Sequence, residues 1–416
     1  MIKVAMFQPE FSLPVSIPLR FFRTAPLWLA LAALLALTLN EGEWQQRFAP
    51  AMLAITHLLM LGFVGNIMLG ALLQVSAVLA GVRISYAGAM ALWLALQSGT
   101  ASLAFGLWQM QPALLGLAAA FLLSGLAGLA IWLLIAFWRG GTRTPLRWAV
   151  IGLLLTVISG ALLLALLGFG WASLPLNDLL RAHIVLGSMA WVVGLIIAVA
   201  FTVVPMFLVA PAWPPRLHQS LSMMLFVLVI ATIVDARWLA LLAIPLLIWL
   251  GALLKLLAKS QRRADPARYL WAWGGCNLLI PVLLMPWLDL LPAAAPILLA
   301  GHFLFAGVMP ILTAMLAKII PFLLWMDFRL QVKSGGGLRH MGQLFPERWL
   351  RSLSHLIISM GIAFWPLYLF AFKAIPILLL IYSMAITYCL MRSIRTQRQA
   401  IQSAEQNHSV QNHPAR

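Results

Sequence analysis

The chain has 416 residues, of which 63% are hydrophobic and only 9% are charged, and this composition excludes an ordinary soluble domain. Apolar runs recur from Pro26 to Met391, each about 20 residues long, which is the length that an α-helix needs to cross a bilayer. The strands of a transmembrane β-barrel would instead be short and alternating in hydrophobicity. The sequence therefore predicts an all-α polytopic membrane protein.

The formal net charge of +17 raises the alternative of a nucleic-acid partner. The basic residues are dispersed among the short segments between apolar runs, and they form no continuous stripe or patch. This distribution is typical of membrane topology and of contact with anionic lipid. We therefore expect the lipid bilayer, and not nucleic acid, as the partner.

In chain order, the apolar runs predict twelve transmembrane spans and two polar ends. Residues 1–23 are expected to form a cytoplasmic N-terminal segment, residues 24–391 the membrane domain, and residues 392–416 a cytoplasmic, disordered polar tail. The predicted spans are 24–40, 49–79, 86–108, 112–137, 145–169, 178–208, 218–234, 238–257, 268–288, 293–324, 350–370 and 374–391. With the N-terminus inside, most of the 27 Lys and Arg residues fall in cytoplasmic segments. The positive-inside rule therefore predicts that both termini are cytoplasmic.

Spans 2, 6 and 10 are longer than the others and share one order of residues. Each has an early His, a Gly about one turn later, then a small residue and a polar residue. The three sets are His57, Gly62, Gly70 and Gln74; His183, Gly187, Gly194 or Ala198, and Thr202; and His302, Gly307, Ala314 and Lys318. Equivalent helices at every fourth position predict three pseudo-repeats of four helices.

The three histidines are the candidate cofactor ligands. His57, His183 and His302 lie at a similar predicted depth, roughly 8–13 Å into the membrane at 1.5 Å rise per residue. An imidazole in hydrocarbon needs a partner, and neutral imidazoles bind haem iron and copper. Each one taken singly has the alternative of a buried hydrogen-bonding residue, whereas three at equivalent positions favour ligands of haem or copper. Arg47 and Arg181 lie near the predicted outer face, where they are candidates to meet haem propionates.

Gln74, Thr202 and Lys318, towards the other end of the same spans, are secondary candidates. Gln74 and Thr202 have the alternative of polar contacts between helices. Lys318 either extends its ammonium group to the cytoplasmic interface or takes part in proton entry. The sequence shows no phosphate-binding loop, nucleophile arrangement or paired intramembrane carboxylates, so no catalytic residue is assigned.

Twelve spans in three arcs of four, with histidines on helices 2, 6 and 10, resemble the haem-copper oxidase subunit I superfamily. The chain more closely resembles the NnrS family of haem- and copper-containing membrane proteins, associated with nitric-oxide stress. In span 2 the likeness rests on His57, Gly62-Phe63, Gly70 and Gln74, with Ala77 where that family has Pro. In span 10 it rests on His302, Gly307 and Lys318.

The resemblance implies a haem-binding protein, with copper as a further metal, in a bacterial inner membrane. Its role would be in redox chemistry, nitric-oxide stress or respiratory cofactor handling, with a respiratory-chain or electron-donor protein as partner. The oxidases carry an adjacent His pair on helix 7, but span 7 here has only His218. A terminal oxidase is therefore not expected. Two alternatives stay open, a transporter or permease and a non-catalytic assembly partner of a respiratory complex.

Overall fold

A computed structural model describes residues 13–140, 145–170, 175–332 and 338–412. Within these ranges twelve helices are long and apolar enough to cross a membrane, and no strand occurs, so the prediction of a multi-pass helical membrane protein is confirmed. In chain order they are α1 Ser16–Thr38, α2 Pro50–Ala80, α3 Tyr86–Trp108, α4 Pro112–Arg139, α5 Leu146–Gly168, α6 Leu176–Leu208, α7 Pro215–Val234, α8 Ala236–Ala258, α9 Pro266–Leu288, α10 Ala295–Gln331, α11 Glu347–Phe370 and α12 Ala374–Gln406.

The helices are arranged as a closed ring around three central members. Neighbours in sequence pack against each other, and α12 packs back against α1, which closes the ring. In α2, α6 and α10, 83%, 83% and 94% of the apolar stretch that could cross the membrane is buried inside the protein. In the other nine helices the buried share is between 28% and 44%. The helices that carry the three candidate histidines are therefore the interior of the bundle, and the remaining helices face lipid.

Each central helix contains a π-helical segment close to its histidine. The segments are Leu58–Gly65 in α2, Leu186–Val193 in α6 and Phe303–Val308 in α10. Two of them start at the residue after the histidine, and the segment in α6 starts three residues after His183. A π turn holds one residue more than an α turn, and such turns are frequent at functional sites.

Both polar ends differ from the sequence prediction over the residues that the structure describes. The first helix already begins at Ser16, inside the predicted segment 1–23, because Phe21 and Phe22 are fully buried against the bundle. The last helix extends from Ala374 to Asn412, so it continues past the membrane-crossing candidate Ala374–Gln406 and through the described part of the predicted tail. Ser393 donates to the Leu344 carbonyl and Gln397 to the Leu324 carbonyl, and these bonds dock the helix beyond its apolar part. Residues 1–12 of the predicted N-terminal segment and residues 413–416 of the predicted tail lie outside the residues that the structure describes.

Candidate functional site

The structure brings the imidazoles of His57 and His183 together in the interior of the bundle. Their ring centroids are 6.3 Å apart and their planes are inclined by 27°. His57 ends the first, α-helical part of α2, and His183 occupies the corresponding part of α6. Both residues are half-buried. Two helices that are distant in sequence thus place two imidazole rings next to each other.

Hydrogen bonds fix the tautomer of both rings. Nδ1 of His57 lies 2.8 Å from the Leu53 carbonyl oxygen, and Nδ1 of His183 lies 3.1 Å from that of Thr156. A carbonyl oxygen only accepts, so Nδ1 must carry the proton in each ring. The lone pair of each neutral ring is therefore on Nε2. This is the arrangement in which metal-binding histidines are commonly held.

Helix α5 shapes the space around His183. The hydroxyl of Ser159 lies 3.3 Å from His183 Nδ1 and itself donates to the Thr156 carbonyl oxygen at 2.9 Å. Gly160, four residues after Thr156, faces the ring, and a Cβ at this position would lie only 2.9 Å from Cε1 of His183. A side chain at position 160 would therefore displace the imidazole. Glycine here is explained by this close approach, not by its backbone freedom.

His302 has a different environment and the opposite tautomer. The indole Nε1 of Trp365 in α11 donates to His302 Nδ1 at 3.1 Å, and the two rings meet edge to face. An indole N–H only donates, so Nδ1 holds the lone pair and the neutral ring carries its proton on Nε2. That Nε2 is buried and has no hydrogen-bond partner among the described residues. His302 thus offers a buried donor, whereas His57 and His183 offer lone pairs.

The three histidines do not form one cluster. In the ranges that the structure describes, no group of three or more His, Cys, Asp or Glu side chains is placed to hold a metal ion together. The structure therefore unites His57 with His183 and leaves His302 outside that pair. Any shared centre that involves all three residues stays a prediction.

The secondary candidates have separate positions. Gln74 is buried within α2, and Thr202 is half-buried in α6. Lys318 of α10 forms an ion pair with Asp265, whose other carboxylate oxygen accepts from the Ala267 backbone amide at the start of α9. Both charged side chains are largely buried, with 16% and 8% of their surfaces exposed. The ammonium group of Lys318 is therefore bound to a carboxylate and does not extend freely to an interface.

A cleft of about 480 Å³ opens at the end of the bundle from which α2 and α10 begin. Its walls are residues 45–48, just before α2, and residues 288–296, which lead into α10. Arg47 lies on this wall with its guanidinium group over the Phe48 ring. Arg181, the other predicted propionate partner, forms an ion pair with Asp178 and donates to the Ile233 carbonyl. The two arginines thus have different surroundings.

Sequence reasoning missed the side chains and carbonyls that position the imidazole rings, and it missed the partner of Lys318. Thr156 and Ser159 of α5, Trp365 of α11, and Asp265 before α9 were not assigned to the site. The available signal was polarity, because Thr, Ser and charged residues inside or beside apolar spans need hydrogen-bond partners. Their spans could be identified, but which of them face the histidines depends on tertiary packing.

The comparisons with known proteins add no assignment. No family model matches the chain, and no curated protein shows significant similarity to it.

Proposed function

We propose that the chain binds a redox metal cofactor, haem or copper, between His57 and His183. The single observation that carries the proposal is the paired geometry of these rings, 6.3 Å between centroids, with both Nδ1 atoms committed to carbonyl oxygens. Both neutral rings carry their lone pair on Nε2, and a neutral imidazole nitrogen is a ligand of haem iron and of copper. The residues present therefore fit such a group.

The chain's own residues would have three tasks at this centre. The carbonyls of Leu53 and Thr156 orient the rings and raise the basicity of Nε2. The apolar interior formed by α2, α6 and α10 excludes water and lowers the dielectric constant. When bound by His57 and His183, haem or copper would supply one-electron transfer. His302, with its buried Nε2 proton, would act as a hydrogen-bond donor near this interior.

The wider setting belongs to the same proposal. We place the protein in a bacterial inner membrane with both termini cytoplasmic. This orientation is supported by the distribution of Lys and Arg residues, most of which fall in segments on the same side of the membrane as the termini. A role in redox chemistry, nitric-oxide stress or respiratory cofactor handling is supported by the resemblance to the NnrS family. Oxygen reduction at a binuclear centre is not proposed, because helix 7 lacks the adjacent histidine pair of the oxidases.

The test is an optical spectrum and metal analysis of the detergent-purified protein, oxidised and reduced. We expect a bound cofactor in the native protein and its loss in His57→Ala and in His183→Ala. His355→Ala is the matched control, because His355 is an exposed histidine in α11. Native protein without a haem band and without copper, or retention of the cofactor in both variants, would refute the proposal.

A further inference from the structure

A polar cluster beside the π segment of α2 joins the first three helices, with Asn66 buried and Trp28 and Gln97 half-buried. Trp28 Nε1 of α1 donates to Gln97 Oε1 of α3 at 2.6 Å, and Gln97 Nε2 donates to Asn66 Oδ1 at 3.0 Å. Asn66 Nδ2 donates in turn to the Gly62 carbonyl oxygen at 2.6 Å. Asn66 is fully buried, in a membrane interior where an unpaired amide is costly.

The cluster ends on the π segment itself. Gly62 lies within the segment Leu58–Gly65, and Asn66 is the first residue after it. In a π turn the regular pairing of carbonyl and amide groups is shifted, so a carbonyl can need a side-chain donor. The Asn66 amide supplies that donor to Gly62. Trp28 covers the same turn, since a Cβ on Gly62 would lie only 2.6 Å from its side chain.

The π segment separates His57 from the rest of α2. One residue corresponds to about 100° of rotation at 3.6 residues per turn. Conversion of the π turn to an α turn would therefore rotate His57 by roughly that angle relative to the part of α2 after Asn66. The ring would then turn away from His183, although its own bond to Leu53, on the same side of the turn, would be kept.

We infer that Asn66, held by Gln97, is a positioning residue that keeps His57 facing His183 by stabilising the π turn. The inference rests on the proposed function for its purpose, but its geometry can be measured without any cofactor. Asn277 provides a matched control. It is likewise buried and donates to the carbonyl four residues earlier, Trp273, at 2.7 Å, but it does so within the regular α-helix Pro266–Leu284.

The experiment measures the proximity of positions 57 and 183 directly. In a Cys276→Ala/Cys389→Ala background, His57→Cys and His183→Cys are combined and treated with bis-maleimidoethane in membranes. Intact mass distinguishes one bridging reagent from two singly attached reagents. We expect bridging in this protein and with Asn277→Leu, and its loss with Asn66→Leu. Asn66→Thr should retain bridging, because threonine can donate to the same carbonyl, as Thr313 does to Met309.

Bridging that persists with Asn66→Leu at the level of the Asn277→Leu control would overturn the inference, and so would its loss with Asn66→Thr. If Asn66→Leu yields no folded protein, Asn66→Ala, which also removes the donor, is measured in its place with the same expected loss. The cofactor spectrum separates the two claims. If the native protein holds no cofactor but the bridging pattern is as expected, only the proposed function is refuted. If Asn66→Leu retains the cofactor, only the positioning role is refuted.

Discussion

In a neutral imidazole, the hydrogen-bond partner of Nδ1 determines whether Nε2 carries a lone pair or a proton. At His57 and His183 a carbonyl oxygen accepts from Nδ1, and this leaves Nε2 as a lone pair. At His302 an indole donates to Nδ1, and this leaves Nε2 as a proton donor. Three residues of one type at similar positions in sequence therefore have two chemical characters, and the difference comes from a single neighbour of each ring.

The distance between Gly160 and the His183 ring leads to a prediction about the cofactor. Gly160→Ala places a methyl group 2.9 Å from Cε1 of His183, and the ring, as the end of a side chain, is the part that moves. We expect weaker cofactor binding, by about tenfold or more, while the helix stays folded. Cofactor content per protein, from absorbance and metal analysis, is the measurement.

Gly251 of α8 is the control for this substitution, because a Cβ there meets no atom within 4 Å. Gly251→Ala should leave the cofactor content unchanged. Equal cofactor content in Gly160→Ala and Gly251→Ala would show that the His183 ring, in the position that the structure gives it, does not bind the cofactor.

The candidate histidines were identifiable from sequence, because a titratable side chain inside an apolar run stands out. Their hydrogen-bond partners were not. Leu53 contributes only a backbone carbonyl, which has no sequence signature, and Thr156 belongs to a different helix from His183. Asp265 lies 53 residues from Lys318 in sequence, and nothing in the sequence links the two residues. Such pairings depend on which helices become neighbours.

At the level of elements, one ion pair joins α10 to the start of α9. Lys318→Met would leave the Asp265 carboxylate largely buried without its cation. Breaking a buried pair in this way costs about 3 kcal/mol of unfolding free energy. The double variant Lys318→Met/Asp265→Asn should recover at least half of this loss, because it removes the charge and keeps a capping side chain. Denaturation in detergent, followed by circular dichroism, gives both values.

The pair of Arg351 and Glu347 serves as the reference, since more than half of each side chain is exposed. Arg351→Met should change the unfolding free energy by no more than about 0.5 kcal/mol. A loss for Lys318→Met as small as this, or a double variant less stable than the single one, would contradict a buried ion pair.

The π segments were not predictable from hydrophobic periodicity. Their positions depend on contacts such as Trp28 against Gly62 and Asn66 with Gln97, which join residues of three different helices. The helices themselves were predictable, because each one is a long apolar run bounded by polar residues, Pro or Gly. The ends of α1 and α12 were misjudged for a related reason. Tertiary burial of Phe21 and Phe22 and the bonds of Ser393 and Gln397 extend helices through polar sequence.

At the scale of the whole molecule, the described residues contain twelve helices long and apolar enough to cross a membrane, as the sequence predicts, and the interior position of the three histidine helices is a finding of the structure. Hydropathy identifies a helix that can enter a membrane, but does not say whether it faces lipid or protein. The threefold repeat and the direction of insertion stay predictions.

The predicted orientation can be tested with reporter fusions. A green fluorescent protein fused after Arg416 should fluoresce, because the C-terminus is expected in the cytoplasm. Alkaline phosphatase inserted beside Arg47, between α1 and α2, should be active, because that enzyme needs the oxidising periplasm. The same phosphatase inserted near Gln261, between α8 and α9, is the opposite-side control and should be inactive. The reverse pattern would refute the orientation.

The contact between α12 and α1 has a consequence for biosynthesis. Ser383 donates to the Pro26 carbonyl, and Lys373 donates to the carbonyls of Leu37 and Leu39. Helix α1 leaves the ribosome long before α12, yet one side of α1 is covered only once α12 has been inserted. Until α12 has been synthesised and inserted, those backbone oxygens lack these donors, so a nascent chain stalled before Ala374 would leave the ring of helices open along one side.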